Sequence, residues 1–138
     1  MSKFIMKNFI VCCLISLLIG CVSNTDKVRY SKTSKVSEIG YSSVSEALNA
    51  LKQKEDLEIT VVRGWTIVNN ENEHSLWSFT PVEHPAHPAV VKRTTVETDG
   101  SVYIKTRVLC QATKQECDKL VQEFQELNER AKEEIHGN

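Results

Sequence analysis

Asp99-Gly100 stands between two long runs rich in β-branched residues, Val90 to Thr98 and Ser101 to Leu109, and no other feature constrains the fold of this chain as much. Asp-Gly suits a two-residue hairpin turn because both central residues must adopt positive φ. Closing the turn pairs Thr98 with Ser101, Thr95 with Ile104 and Val91 with Val108, because the register counts outward from the turn. Val102, Ile104, Val108 and Cys110 then share the face expected to be buried, while Lys92, Tyr103, Lys105 and Arg107 share the other. Lys92 and Arg107 fall directly opposite one another, a pairing of like charges that is mildly destabilising. Like charges kept together can serve an anionic partner.

The rest of the chain supplies the other elements. Between Gly40 and Lys54, Val44, Ala47, Leu48 and Leu51 recur at i, i+3, i+4 and i+7, with Ser43 and Glu46 placed as a capping box. That is an amphipathic helix. Leu57 to Val68 is β-branched and aromatic, interrupted by Gly64, and reads as one strand with a bulge or two short strands. Residues 69–73 form a turn and Leu76 to Phe79 a returning strand. A last helix starts at Thr113, with Glu116 three residues on, and carries Cys117, Leu120, Val121, Phe124, Leu127, Ala131 and Ile135 on one stripe. The expected fold is α+β: a two-layer domain over residues 40–138, with an antiparallel sheet of about four strands and both helices on one of its faces.

The N-terminus carries a different signal. Lys3 and Lys7 precede an apolar run from Phe9 to Ile19, which is the layout of a signal peptide and too short for a comfortable bilayer span. Leu18-Ile19-Gly20-Cys21 resembles the lipobox of bacterial lipoproteins. The resemblance covers the targeting segment alone. It implies cleavage before Cys21, a diacylglycerol on its thiol and an acyl chain such as palmitate on its amino group, enough for stable membrane anchoring. Residues 1–20 are then the signal peptide and 21–39 a lipidated tether, polar and rich in Ser, Thr and Lys. By the same resemblance, no Asp follows Cys21, so the expected address is the periplasmic side of the outer membrane. Removing residues 1–20 takes away two Lys and no acid, so the formal charge of −1 becomes −3. No basic stretch of the kind that binds nucleic acid remains.

Of the five cysteines, Cys12 and Cys13 leave with the signal peptide and Cys21 takes the lipid. Cys110 ends the buried parity of the last strand and Cys117 opens the apolar stripe of the following helix, so in an oxidising compartment the two are expected to form a disulfide.

Chemistry-bearing residues gather in Pro81-Val82-Glu83-His84-Pro85-Ala86-His87-Pro88, with His74 in the turn before it. Imidazoles two residues apart, His84 and His87, can reach one zinc ion when proline stiffens the backbone. A hydrolase would combine one of them with Glu83 and Ser75 or Ser78. The plainer reading is an extended connection with packed or solvated rings. There is no nucleophile elbow, no phosphate loop and no paired acidic motif, so no catalytic residue and no cofactor is assigned. Trp65 and Trp77 are core residues or interface anchors. The leading expectation is a non-catalytic envelope lipoprotein that binds a protein partner through Lys92, Tyr103, Lys105, Arg107, Trp65 and Trp77, as an immunity protein, inhibitor or assembly factor would. A small metal-binding protein or hydrolase using His84 and His87 is the alternative.

Overall fold

Consecutive apolar residues at Val90-Val91 and Val108-Leu109-Cys110 mean that both parities of the long hairpin want burial, and the computed structural model answers with a helix on each side. The structure describes residues 29–31 and 37–136. Along the chain run β1 (Arg29–Ser31), α1 (Val44–Lys52), β2 (Glu58–Val62), β3 (Trp65–Asn70), β4 (Ser75–Phe79), β5 (Ala89–Thr98), β6 (Ser101–Cys110) and α2 (Lys114–His136). The strands form one sheet in the order β1-β6-β5-β4-β3-β2. β2 to β6 pair antiparallel, and β1 adds a parallel edge against Arg107 to Leu109.

The register of the β5–β6 hairpin is the expected one: Thr98 opposes Ser101, Thr95 opposes Ile104 and Val91 opposes Val108. Asp99 and Gly100 both have positive φ, at 53° and 74°, as this turn type demands. The region around Gly64 resolves into two strands rather than one bulged strand. Arg63 and Gly64 take φ of 49° and 83°, and Val62 pairs with Trp65 across the second two-residue turn. A Cβ on Gly64 would also come within 3.1 Å of the Pro81 ring, so the turn and the Pro-His loop pack closely.

α1 starts at its capping box: the Ser43 hydroxyl accepts from the Glu46 N–H at 3.1 Å, and the Glu46 carboxylate accepts from the Ser42 N–H at 2.8 Å. Gln111, just beyond β6, accepts from the Val44 N–H at 3.0 Å and ties the helix start to the sheet. Val44, Ala47 and Leu51 pack on Val68, Trp77, Phe79, Val90 and Leu109. On the opposite face, Cys117, Leu120 and Phe124 of α2 pack on Ala89, Val91, Val108 and Cys110. The α+β class, the antiparallel sheet and its two helices stand, but the layers are helix, sheet, helix. The two helices do not share a face, because Val90 with Leu109 and Val91 with Val108 point opposite ways and each pair needs its own cover.

Two more expectations change. The segment read as a tether, 21–39, contributes β1 to the sheet, and Ser37 and Ile39 are buried, so the packed domain begins before residue 40. Cys21 and the rest of the lipobox segment lie outside the described residues. On the face expected to be buried, Val108 and Cys110 are each 1 % exposed, but Val102 is 62 % exposed. The last pairing between β4 and β5 is Ser75 with Thr94. Beyond it, residues 95–104 pair only with one another and form a two-stranded arm past the layered core.

Cys110 and Cys117 are joined in a disulfide with a Cα–Cα distance of 5.8 Å, which ties the end of β6 to the first turn of α2. The Thr113 hydroxyl accepts from the Glu116 N–H at 3.3 Å, the cap read from the sequence.

Candidate functional site

The basic stripe keeps its register but loses half its members to the fold. Lys92 opposes Arg107, as counted from the turn. Its Nζ lies 2.8 Å from the Glu73 carboxylate and 4.6 Å from the centre of the Trp77 ring, and its side chain is only 17 % exposed. The expected repulsion is therefore offset by an acid from the β3–β4 turn and by the ring face. The Lys92 hydrogen bond holds the Glu73 carboxyl below its usual range, helped by the charges of Lys92 and Lys54 and by Asn70, while burial opposes the shift. Trp77 is 3 % exposed and packs edge-on against Tyr41, so it is a core residue. Tyr103 and Lys105 remain exposed on this face and Arg107 is half-buried. Trp65 lies on the other face, at the parity of Ile67, which opposes Ser78 and through it Val91. The six residues expected at one binding surface thus divide: Tyr103, Lys105 and Arg107 stay together, Lys92 and Trp77 are taken up by packing, and Trp65 joins a different cluster.

The Pro-His loop folds back onto α2. The His84 Nδ1 accepts from the Ala86 N–H at 3.1 Å, so its proton belongs on Nε2, which points at the Glu123 carboxylate 3.5 Å away. The ring also meets Trp65 edge-on at 5.2 Å. His87 has the other tautomer, because its Nδ1 lies 3.1 Å from the Thr80 carbonyl oxygen and must donate to it. Both imidazoles therefore hold the loop in place. Among the described residues no group of three or more His, Cys, Asp or Glu side chains is placed to hold a metal ion. Glu83 is exposed, and His74 lies in the β3–β4 turn at a φ of 47°. Ser75 and Ser78 are both buried on opposite parities of β4, and no serine hydroxyl among the described residues hydrogen-bonds either ring.

One group escaped the reading of the sequence. Arg93 follows Lys92 on β5 and so points to the α2 face, where it opposes Thr106. Its guanidinium lies over the Phe124 ring at 5.4 Å, and its Nε is buried without a hydrogen-bond partner. Burial pushes its pKa down from the ordinary arginine value. Around it opens a groove of about 310 Å³ lined by Trp65, Ile67, Phe124 and Leu127, with Ser78, Glu123 and Arg130 supplying its polar groups. Arg93 also reaches a wider concavity of about 630 Å³ between the β3–β4 turn and the hairpin arm, bordered by Asn69, His74, Leu76, Thr95 and Ile104. The signal was present: a lone arginine at the parity of Val91 is a charge at a position whose neighbours are core.

Among the described residues no helix is long and apolar enough to cross a membrane. Compared with protein-family models, with curated proteins and with solved structures, the chain matches none.

Proposed function

We propose that this chain is a non-catalytic bacterial envelope lipoprotein, anchored through Cys21 on the periplasmic side of the outer membrane, whose domain binds a protein partner through the β5–β6 arm. The observation that carries the reading is the arm itself. Residues 95–104 leave the layered core as a two-stranded ribbon, and they expose Val102 and Tyr103, with Lys105 and Arg107 following on the Tyr103 face. An aromatic and an aliphatic side chain beside two cations fit a partner surface with acidic groups around an apolar patch. Among the described residues neither Lys105 nor Arg107 has a carboxylate within ion-pair distance. An immunity or inhibitor protein, or an assembly factor, works in this way. The buried disulfide accords with an oxidising compartment.

The test is photo-crosslinking in cells from position 103, with mass spectrometry of the captured protein. Replacing Lys105 and Arg107 together by Glu should lower the yield of one specific crosslink at least tenfold and leave the melting temperature of the purified protein within about 3 °C. Equal capture by the charge-reversed protein would refute the arm as the binding surface. The anchor has its own readout: the membrane-extracted protein should have the mass of residues 21–138 plus diacylglycerol and one acyl chain, and an unmodified Cys21 would refute it.

A further inference from the structure

We propose that the groove between α2 and the β3–β5 part of the sheet binds a small organic acid with an apolar tail, its carboxylate held by the Arg93 guanidinium. The proposal does not depend on the protein partner of the hairpin arm.

The argument begins with the isolation of Arg93. A cation withdrawn from water is ordinarily paired, because its lost hydration otherwise goes uncompensated. Arg93 sits beneath α2 at the level of Phe124, yet among the described residues no carboxylate lies within ion-pair distance of it. The Phe124 ring gives part of the compensation, and the buried Nε receives none. Glu123 is the one acid lining the groove, and its carboxylate faces the Nε2 of His84 at 3.5 Å. The groove therefore presents a desolvated guanidinium whose planar fork lacks the two-oxygen acceptor it matches best.

The walls decide what carries that acceptor. Trp65, Ile67, Phe124 and Leu127 are apolar, and Arg130 adds a second positive charge at the exposed surface of α2. A phosphate would press a multiply charged group against two aromatic rings, whereas a carboxylate on a hydrocarbon stem places one charge at Arg93 and its tail along the rings. A volume of about 310 Å³ holds on the order of ten non-hydrogen atoms at about 30 Å³ each, at the small end of the range for ligand sites. An arylalkanoic acid or a medium-chain fatty acid has this size and shape. The ring of Trp65 lines the groove and touches both His84 and Phe124, so an occupant would change its surroundings directly.

The experiment uses 3-phenylpropanoate and its neutral isostere, 3-phenylpropanamide, each titrated into the isotopically labelled full protein while the Trp65 indole N–H is followed by NMR. The acid should shift this resonance saturably and bind at least tenfold more tightly than the amide, because only the acid supplies a charged two-oxygen acceptor. Arg93→Gln should remove that preference. Arg130→Gln, at an exposed position, should weaken the acid several-fold with the fold intact. Equal affinity for acid and amide, an acid preference that survives Arg93→Gln, or no saturable shift up to about 10 mM acid would each overturn the proposal. The comparison of acid with amide needs no substitution, so it decides the matter even if Arg93→Gln fails to fold.

Discussion

Reducing the Cys110–Cys117 bridge removes one covalent constraint while leaving every side chain in place, which makes it a clean perturbation of this fold. The two residues are seven apart, and both are buried, at 1 % and 0 % exposure. Opening so short a loop restores about 2.5 kcal/mol of chain entropy to the unfolded state on the loop-closure model. The two thiols lie among Ala89, Val91, Val108 and Leu120 and need no partner there, since a buried thiol behaves as a small apolar group. The expected loss of stability is therefore about 2–3 kcal/mol with little rearrangement. With a urea dependence of about 1–3 kcal/mol per molar, the unfolding midpoint should fall by about 1–2 M. The assay is equilibrium urea unfolding followed by tryptophan fluorescence and far-UV circular dichroism, with and without reductant. Reduction is carried out in the unfolded state because reagents do not reach the buried sulfurs. A midpoint shift below about 0.3 M would refute the reasoning, since it would mean that the β6–α2 corner is as well ordered in the unfolded chain without the bridge as with it.

Two further perturbations probe the layers and the ion pair. Val108→Ala, at a fully buried position beneath α2, should cost about 2–3 kcal/mol, while Val102→Ala, on the same strand parity but in the projecting arm, should cost less than about 0.5 kcal/mol; similar costs by urea unfolding would contradict the free arm. Glu73 has its pKa lowered by Lys92, so its contribution is present above the unfolded carboxyl value of 4.5 and is lost as pH falls through the lower folded value. Glu73→Gln should therefore narrow the stability difference between pH 7 and pH 3 by well under 1 kcal/mol, because the glutamate is largely exposed, and an unchanged pH dependence would show that the pair adds nothing.

The sequence by itself determined whatever depends on neighbours along the chain. The Asp99-Gly100 turn sets the hairpin register residue by residue, since two positive-φ positions and a two-residue alternation leave no second solution. The starts of both helices follow from Ser43 with Glu46 and from Thr113 with Glu116. The disulfide follows from a strand parity meeting a helix stripe. What only the tertiary structure decided is which apolar parity each helix covers. Val90-Val91 and Val108-Leu109 offer core to both sides of the sheet, and alternation alone ranks neither side first. Contacts between residues far apart in the chain break that tie: Ala47 and Leu51 meet Val90 and Leu109 on one face, and Leu120 and Phe124 meet Val91 and Val108 on the other. The same holds for β1, whose three residues are too few to show a period and whose strand exists only because the edge of β6 is there to pair with it. Arg93 belongs with these cases. Its charge is visible in the sequence, but its isolation under Phe124 arises from the way α2 crosses the sheet, and a candidate site made by that crossing has no local signature to read.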